Sequence, residues 1–402
     1  MARSADSAGH TGSPSDDRPA LRGLTSGSDA LRRSPALALW ALFIVLFPFY
    51  VFPSGGLQPA DFVMVPLLAY AALEPRLRLP PGCHAALVPL FGFVLYALLV
   101  NTTWALVQHN FDLSAEYGHI LYGVFYAYNA AVFVTALLLF GRHGDDFLAA
   151  TAVALLLSVL VQVAGSLVAP SGDELRETLF FNNPNQLGYY ALLCATAFAL
   201  LARSVALPTA IQGVFFAATA YLAVLSLSKA AMFAIAILAA VTFVTRLRAL
   251  VATALVLIAA DALLLSEANH LERVEYRVAT TGHTSDDNLA GRGYDRVMNH
   301  PEHWFLGAGE GDGTRFDSAL EGEIHSTFAT VAFSYGIPGA VLFGLFLLGL
   351  VRRLDTRGLL LLVPAAFYGL THNGLRFTIA WILLAVVLCV RLRSNASEES
   401  ST

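Results

Sequence analysis

The sequence predicts an all-α fold: a polytopic integral membrane helical bundle of about 12 transmembrane helices, with one large external loop (266–325) between spans nine and ten. Three observations lead there. Hydrophobic residues make up 56% of the chain and charged residues only 13%, against about 25% charged in a typical soluble domain. Apolar runs of the length that crosses a bilayer, about 20 residues, recur along the chain. Arginines collect at alternate ends of those runs. Length alone would suggest roughly two or three soluble domains, but a mean hydropathy of +0.63 makes the membrane span the natural unit.

Residues 1–34 are rich in Ser, Gly, Asp, Arg and Pro and show no apolar period. That composition predicts a disordered cytoplasmic tail. A signal peptide is excluded, because no basic start, short apolar core and cleavage site follow in order. The apolar runs lie near 36–53, 57–74, 84–107, 118–140, 147–169, 185–203, 208–226, 229–245, 249–265, 326–351, 358–372 and 377–391. Together they form one transmembrane domain, 35–393, followed by a short polar C-terminal tail, 394–402. Pro and Gly inside several runs are tolerated in bundles of membrane helices. No soluble domain and no clear internal repeat is visible.

Orientation follows from the basic residues, which favour the cytoplasmic side in short loops. With the N-terminus inside, the cytoplasmic segments hold Arg32, Arg33, Arg76, Arg78, Arg142, Arg203, Arg246, Arg248, Arg352, Arg353, Arg357, Arg391 and Arg393. Both termini are then cytoplasmic. The first two external loops, PSGGLQPA and QHNFDLSAEY, carry no Arg or Lys.

Against that background the external cations stand out: Arg176, Lys229, Arg273, Arg277, Arg292, Arg296, Arg315 and Arg376. Long loops carry charge freely and are translocated regardless of it, which accounts for Arg273, Arg277 and Arg315. Lys229, the chain's single lysine, sits instead between two spans with almost no loop (AVLSLSKAAMF). Either it snorkels to the headgroups or it is kept to hold an anion. The net charge of -5 carries no nucleic-acid signal. Cys83, Cys194 and Cys389 are far apart in sequence, two of them within apolar runs, so they read as buried small hydrophobes.

In the large loop, SEANHLERVEYRVAT places Leu271, Val274 and Val278 on one helical face, which predicts an amphipathic helix lying over the bundle. Arg292 and Arg296, four apart, would share a face if the segment is helical. LGAGEGDG supplies glycines at 307, 309, 311 and 313. It neither follows a strand nor opens a helix, so it reads as a flexible loop rather than a phosphate cradle. His325 ends the loop at the start of a span, beside Glu323. A lone histidine is commonly structural, yet an imidazole at that surface can take a proton near neutral pH. His300 and His303 lie near acidic residues but lack strict ligand spacing, so no metal is expected.

Four segments together resemble the O-antigen ligase and polymerase family of bacterial envelope enzymes: FFNNPNQLGYY (180–190), SLSKAAMFA (226–234), GRGYDRVMNHPEHWFLGAGEG (291–311) and IHSTFATVAFSYGIPG (324–339). The match lies in their order and in their placement at external span ends, across residues 36–392. The resemblance implies a helical bundle similar to other integral-membrane glycosyltransferases, sited in the bacterial inner membrane with its active site facing the periplasm. It implies an inverting transfer of a glycan from undecaprenyl pyrophosphate to a sugar hydroxyl, with no metal or cofactor. In a ligase the acceptor is lipid A-core; in a polymerase it is another carrier-linked repeat unit.

Carried across residue by residue, the family's external histidine matches His325, its loop arginine matches Arg292, and the arginine of its SxSR-type segment aligns with Lys229. The chain departs from the pattern at Lys229 and at Ser326, where the family usually has Asn. Lysine keeps the charge but loses the planar fork of arginine. Pyrophosphate is a good leaving group, so the site must mainly neutralise developing charge and supply a base. Lys229 and Arg292 suit the first task and His325 the second. Arg176, Arg296 and Arg376 join them as substrate-binding candidates. Asn183, Asn185 and Gln186 either hydrogen-bond sugar hydroxyls or form a polar helix start around Pro184. A lipid or glycan transporter is the reading of another class. It fits less well, because the mid-span regions lack charge and the polar residues gather at one face. A non-enzymatic envelope scaffold would have no need for three such side chains at one surface.

Overall fold

The computed structural model describes residues 22–52, 56–113, 118–168, 176–243, 279, 289–318 and 322–399. Among them the secondary structure is helical throughout. The helices in chain order are α1 (Arg22–Arg33), α2 (Pro35–Leu46), α3 (Pro59–Leu73), α4 (His84–Val107), α5 (Ile120–His143), α6 (Asp145–Val168), α7 (Pro184–Ser204), α8 (Thr209–Leu225) and α9 (Lys229–Phe243). They continue with α10 (Tyr294–Asn299), α11 (Thr327–Ser334), α12 (Gly336–Val351), α13 (Thr356–Tyr368) and α14 (Thr378–Glu399).

Each predicted apolar run but one coincides with a described helix or pair of helices. The exception, 249–265, lies outside the described residues, as do the amphipathic stretch with Leu271, Val274 and Val278, and Arg273 and Arg277. Among the described residues, five helices are long and apolar enough to cross a membrane: α4, α5, α6, α7 and α14. The other apolar helices are shorter; the 12 residues of α2, for example, rise about 18 Å. Large apolar side chains exposed on outer faces, such as Val88, Leu95 and Leu99 of α4 and Leu345 and Leu348 of α12, suit contact with lipid. The chain is a helical, multi-pass membrane protein.

Local sequence explains several helix starts. Ser34, Asn183, Ser326 and Asp355 each accept a hydrogen bond from the backbone amide three residues on, satisfying one orphan donor of the first turn. Pro35, Pro59 and Pro184 occupy first-turn positions, where a missing N–H costs nothing. The predicted run 326–351 is broken in two between Ser334 and Gly336. There the backbone of Gly307 and Gly309 docks, with Ala308 N donating to Phe333 O at 2.9 Å and Gly309 N to Ser334 O at 2.8 Å. A Cβ on Gly307 would lie 2.3 Å from Ser334 O, and its φ is +91°. The glycine-rich stretch is therefore a closely seated strap rather than the expected flexible loop.

Two ends differ from the tails expected at 1–34 and 394–402. Residues 22–33 form α1, whose Leu24, Gly27, Ala30 and Leu31 share one face. Gly27 lets that face approach α6: a Cβ there would sit 2.7 Å from Ala149 O. At the other end α14 continues to Glu399, and Arg393 pairs with Asp145 at 2.5 Å.

α7 is the axial helix: Leu187 to Ala202 are buried on every face, against α6, α8, α9, α13 and α14. Phe198 stacks on Phe215 of α8 with ring centroids 3.9 Å apart. All three cysteines are buried and unbridged. Charges sort to the two ends of the bundle. One end carries Arg142 with Glu74 (3.7 Å), Arg203 with Asp355 (2.5 Å) and Arg393 with Asp145. The opposite end carries Arg176, Lys229, Arg292, Arg296, Arg315 and Arg376.

Candidate functional site

At that second end a cavity of about 700 Å³ opens between α3, α5, α7 and α14. Of the candidates named from sequence, His325, Asn183, Asn185, Gln186 and Arg376 line it. The N-termini of α7 and α14 both open on it, which brings the positive ends of two helix dipoles to one space. The wall also carries His372 and Asn373.

The polar residues before and within the first turn of α7 have structural partners as well. Asn183 caps the helix by accepting from Gln186 N at 2.9 Å. Gln186 Oε1 accepts from Asn182 N at 3.2 Å. Asn185 Oδ1 accepts from Arg176 Nη2 at 2.6 Å, and Arg176 Nε donates to Ser226 O at 3.0 Å. Arg176 thus joins the start of α7 to the Ser226–Lys229 turn. Gly188 makes room for that turn, since a Cβ there would lie 2.8 Å from Ser226 Oγ. Lys229 is the first residue of α9 and half-buried.

Arg292 and His325 are joined through their backbones, His325 N donating to Arg292 O at 3.0 Å. The Arg292 guanidinium reaches the turn after α13, with Nη1 donating to Thr371 O at 2.5 Å. The same turn is held from α11: Thr327 N donates to Gly369 O at 2.8 Å, and Gly374 N donates to Thr327 Oγ1 at 2.9 Å. Ser326, one of the two departures from the family pattern, has a local task. It caps α11 and accepts from the Tyr294 hydroxyl at 2.9 Å.

Lys229, Arg176 and Arg292 stand behind the cavity wall rather than in it. Arg292 and Arg296 do not share a helical face. Gly293, at φ +77°, ends the 3-10 turn Ala290–Arg292 and starts α10 in a new direction. Arg296 consequently turns away, is buried, and donates from Nη2 to Gly322 O at 3.1 Å. It lines a separate, smaller cavity of about 470 Å³. Arg376 faces both cavities, paired with Glu323 and lying 4.7 Å over the Tyr122 ring.

Two residues of the wall went unread in the sequence. His372 stacks on Tyr368 with ring centroids 4.1 Å apart, and Tyr368 OH in turn lies 3.1 Å from Ser228 Oγ. Burial, reinforced by Arg292, His325 and Arg176, pushes the His372 pKa down to about 3. Its ring is therefore neutral at physiological pH. Asn373 Oδ1 accepts from Leu375 N at 3.1 Å, while its buried Nδ2 has no hydrogen-bond partner among the described residues. A buried donor left over in a cavity wall is the kind of group a ligand satisfies. The signal for both was the His372–Asn373 dipeptide, at the end of the run 358–372 and close before Arg376.

The space is lined by two imidazoles, one arginine, amide groups and two carboxylates, with Glu323 paired to Arg376 and Asp61 accepting from Tyr128 OH and Gln58 N. With both carboxylates engaged, the two helix N-termini and the three further cations nearby leave room for a ligand that carries negative charge, and the amides suit its hydroxyl groups. Among the described residues no three His, Cys, Asp or Glu side chains come together to hold a metal ion. In comparisons with known proteins, the chain matches no family model and no curated protein.

Proposed function

We propose that the chain is a membrane glycosyltransferase of the O-antigen ligase type. In this reading it moves a glycan from undecaprenyl pyrophosphate to a sugar hydroxyl of lipid A-core at the outer face of a bacterial inner membrane. The observation that carries the reading is convergence. The segments around 183–186, 226–229, 292 and 325 are distant in sequence, yet hydrogen bonds link them around one cavity with a cationic surround.

The division of labour follows from the chemistry. Arg376 and the helix N-termini meet the pyrophosphate directly, and Arg176, Lys229 and Arg292 add positive potential from behind the wall. Preorganised charge of this kind stabilises a leaving group at no reorganisation cost. His325 takes the proton of the attacking hydroxyl, which displaces the carrier pyrophosphate with inversion. In the same reading, about twelve spans cross the membrane, both termini are cytoplasmic, and the loop that ends at His325 is periplasmic.

Polymerisation, in which the acceptor is a second carrier-linked repeat unit, uses the same groups. The deciding test is reconstitution of the full chain in liposomes with an undecaprenyl-pyrophosphate glycan and either lipid A-core or a second carrier-linked unit. Transfer to lipid A-core is the expected result, and transfer only between carriers makes it a polymerase. No transfer to either, with movement of the carrier-linked glycan between leaflets, overturns the enzyme reading in favour of a transporter.

A further inference from the structure

We propose that the smaller cavity, behind the Arg376–Glu323 pair, is a carbohydrate subsite that holds the acceptor sugar, with Glu310 as its hydrogen-bonding carboxyl. The assignment to an acceptor rests on the glycosyl-transfer reading above. Its volume of about 470 Å³ lies within the common range of small-molecule sites, about 300–1,000 Å³.

Glu310 is held with unusual care for a loop residue. It is only 6% exposed. Its backbone N donates to Asn101 Oδ1 at 2.9 Å, and Asn101 Nδ2 donates to Tyr335 OH at 3.2 Å. Its Oε1 accepts from two hydroxyls, those of Tyr335 (2.8 Å) and Tyr126. The other carboxyl oxygen, Oε2, is buried with no hydrogen-bond partner among the described residues. A buried polar atom left unmatched beside a cavity is costly unless a ligand meets it.

The rest of the wall indicates the class of that ligand. Tyr122, Phe316 and Phe333 give it aromatic surfaces, while Gly309, Gly311 and Gly313 bring backbone to its edge. The carboxylates of Glu310, Asp312 and Glu323 outnumber Arg296 and Arg376, so the lining does not favour an anion. Apolar ring surfaces, carboxylates and guanidinium donors together match a neutral polyol with apolar C–H faces, which is a sugar ring. Because Arg376 and Glu323 line both cavities, a sugar held here has its nearest edge at the boundary of the space that contains His325.

The test uses the full chain in nanodiscs, with glucose, galactose and lactose as probes in saturation-transfer difference NMR. Wild type is expected to transfer saturation to sugar ring protons. Gly322→Leu should abolish it, because Gly322 lines this cavity and a Cβ there meets nothing within 4 Å. The added side chain fills space without forcing the backbone. Glu310→Gln should weaken binding about tenfold, the scale of one well-made hydrogen bond. Absence of any sugar signal in wild type, or equal signals in wild type and Gly322→Leu, overturns the subsite. The companion measurement is acceptor KM relative to donor KM in the reconstituted transfer assay. Sugar binding lost in Gly322→Leu, with no donor turnover in wild type, would sink the transfer reading and leave a sugar site. Turnover with an acceptor KM unmoved by both substitutions would sink the subsite and leave the transfer reading.

Discussion

The main-chain amide of His325 donates to the carbonyl of Arg292 at 3.0 Å, so the base candidate and a cation candidate are fastened back to back. The Arg292 side chain then extends away to the carbonyl of Thr371. A charge-assisted bond of this kind contributes about 1.5–3 kcal/mol. It sets the position of the turn that carries His372 and Asn373. Arg292→Ala should therefore lower transfer by about 10², the scale for a roughly 1 Å misplacement of groups at the site. Arg292→Lys separates charge from geometry: lysine restores the potential but not the planar fork. An intermediate rate for the lysine variant is expected, and a wild-type rate would reduce Arg292 to a point charge.

Lys229 is tied to the site through its neighbours. Arg176 bonds Ser226 O on one side and Asn185 on the other, and Ser228 contacts Tyr368. If its charge contributes to holding the diphosphate, Lys229→Ala nearly abolishes transfer while the protein still inserts. Lys229→Arg should retain substantial activity, because the positive charge remains at the start of α9. Normal turnover by Lys229→Ala would mean that the lysine only snorkels to the headgroups.

Topology has its own check. The charge sorting between the two bundle ends predicts that Gly291 and Arg393 lie on opposite sides of the membrane. Reporter fusions at the two positions should report the periplasm and the cytoplasm respectively. Reports from the same side would remove the basis for an external site.

Helix positions were the most legible part of the sequence, because burial in lipid and in a bundle both demand long apolar runs. Breaks were less so. The run 326–351 reads as one span, and only the docked backbone of Gly307 and Gly309 accounts for its division at Tyr335. α1 was missed because its apolar face is narrow and relies on Gly27 for contact, which hydropathy does not register. In the site, His325 was visible because it stands alone at a span end. Arg296 was misplaced because four-residue spacing presumes an unbroken helix, which Gly293 interrupts. The roles of His372 and Glu310 went unread for another reason: their settings come from tertiary partners, the stacked Tyr368 in one case and Tyr126 and Tyr335 in the other.

The neutral His372 makes a stability prediction. Its folded pKa, about 3, lies well below the ordinary imidazole value of about 6.5. Between those values the unfolded chain binds a proton that the folded chain does not, so stability rises with pH across that interval and is lost as pH falls below about 6.5. The thermal midpoint of the detergent-solubilised protein should drop between pH 7 and pH 5. His372→Gln, which cannot titrate, should flatten that drop. A wild-type midpoint that does not change over this range, or an equal slope in the variant, would exclude the buried neutral histidine as its source.

His325 yields the most direct mechanistic prediction, and the state of His372 makes it readable. Both histidines line the same cavity, but His372 stays neutral throughout the physiological range. A rate change between pH 6 and 8 that His325→Ala removes is then assignable to His325. As a general base, neutral His325 accepts the proton of the attacking hydroxyl, a contribution of about 10² to 10⁴ in rate. His325→Ala should lower turnover by that factor while donor binding changes little. Wild-type activity should rise between pH 6 and 8, because the base requires the unprotonated ring. The rival role is a third cation: a protonated His325 that holds the diphosphate would give the opposite slope, since raising the pH removes its charge. The measurement is rate against pH for wild type and His325→Ala at saturating donor. A fall in activity from pH 6 to 8 that disappears in the alanine variant would reject the base and make His325 part of the phosphate clamp.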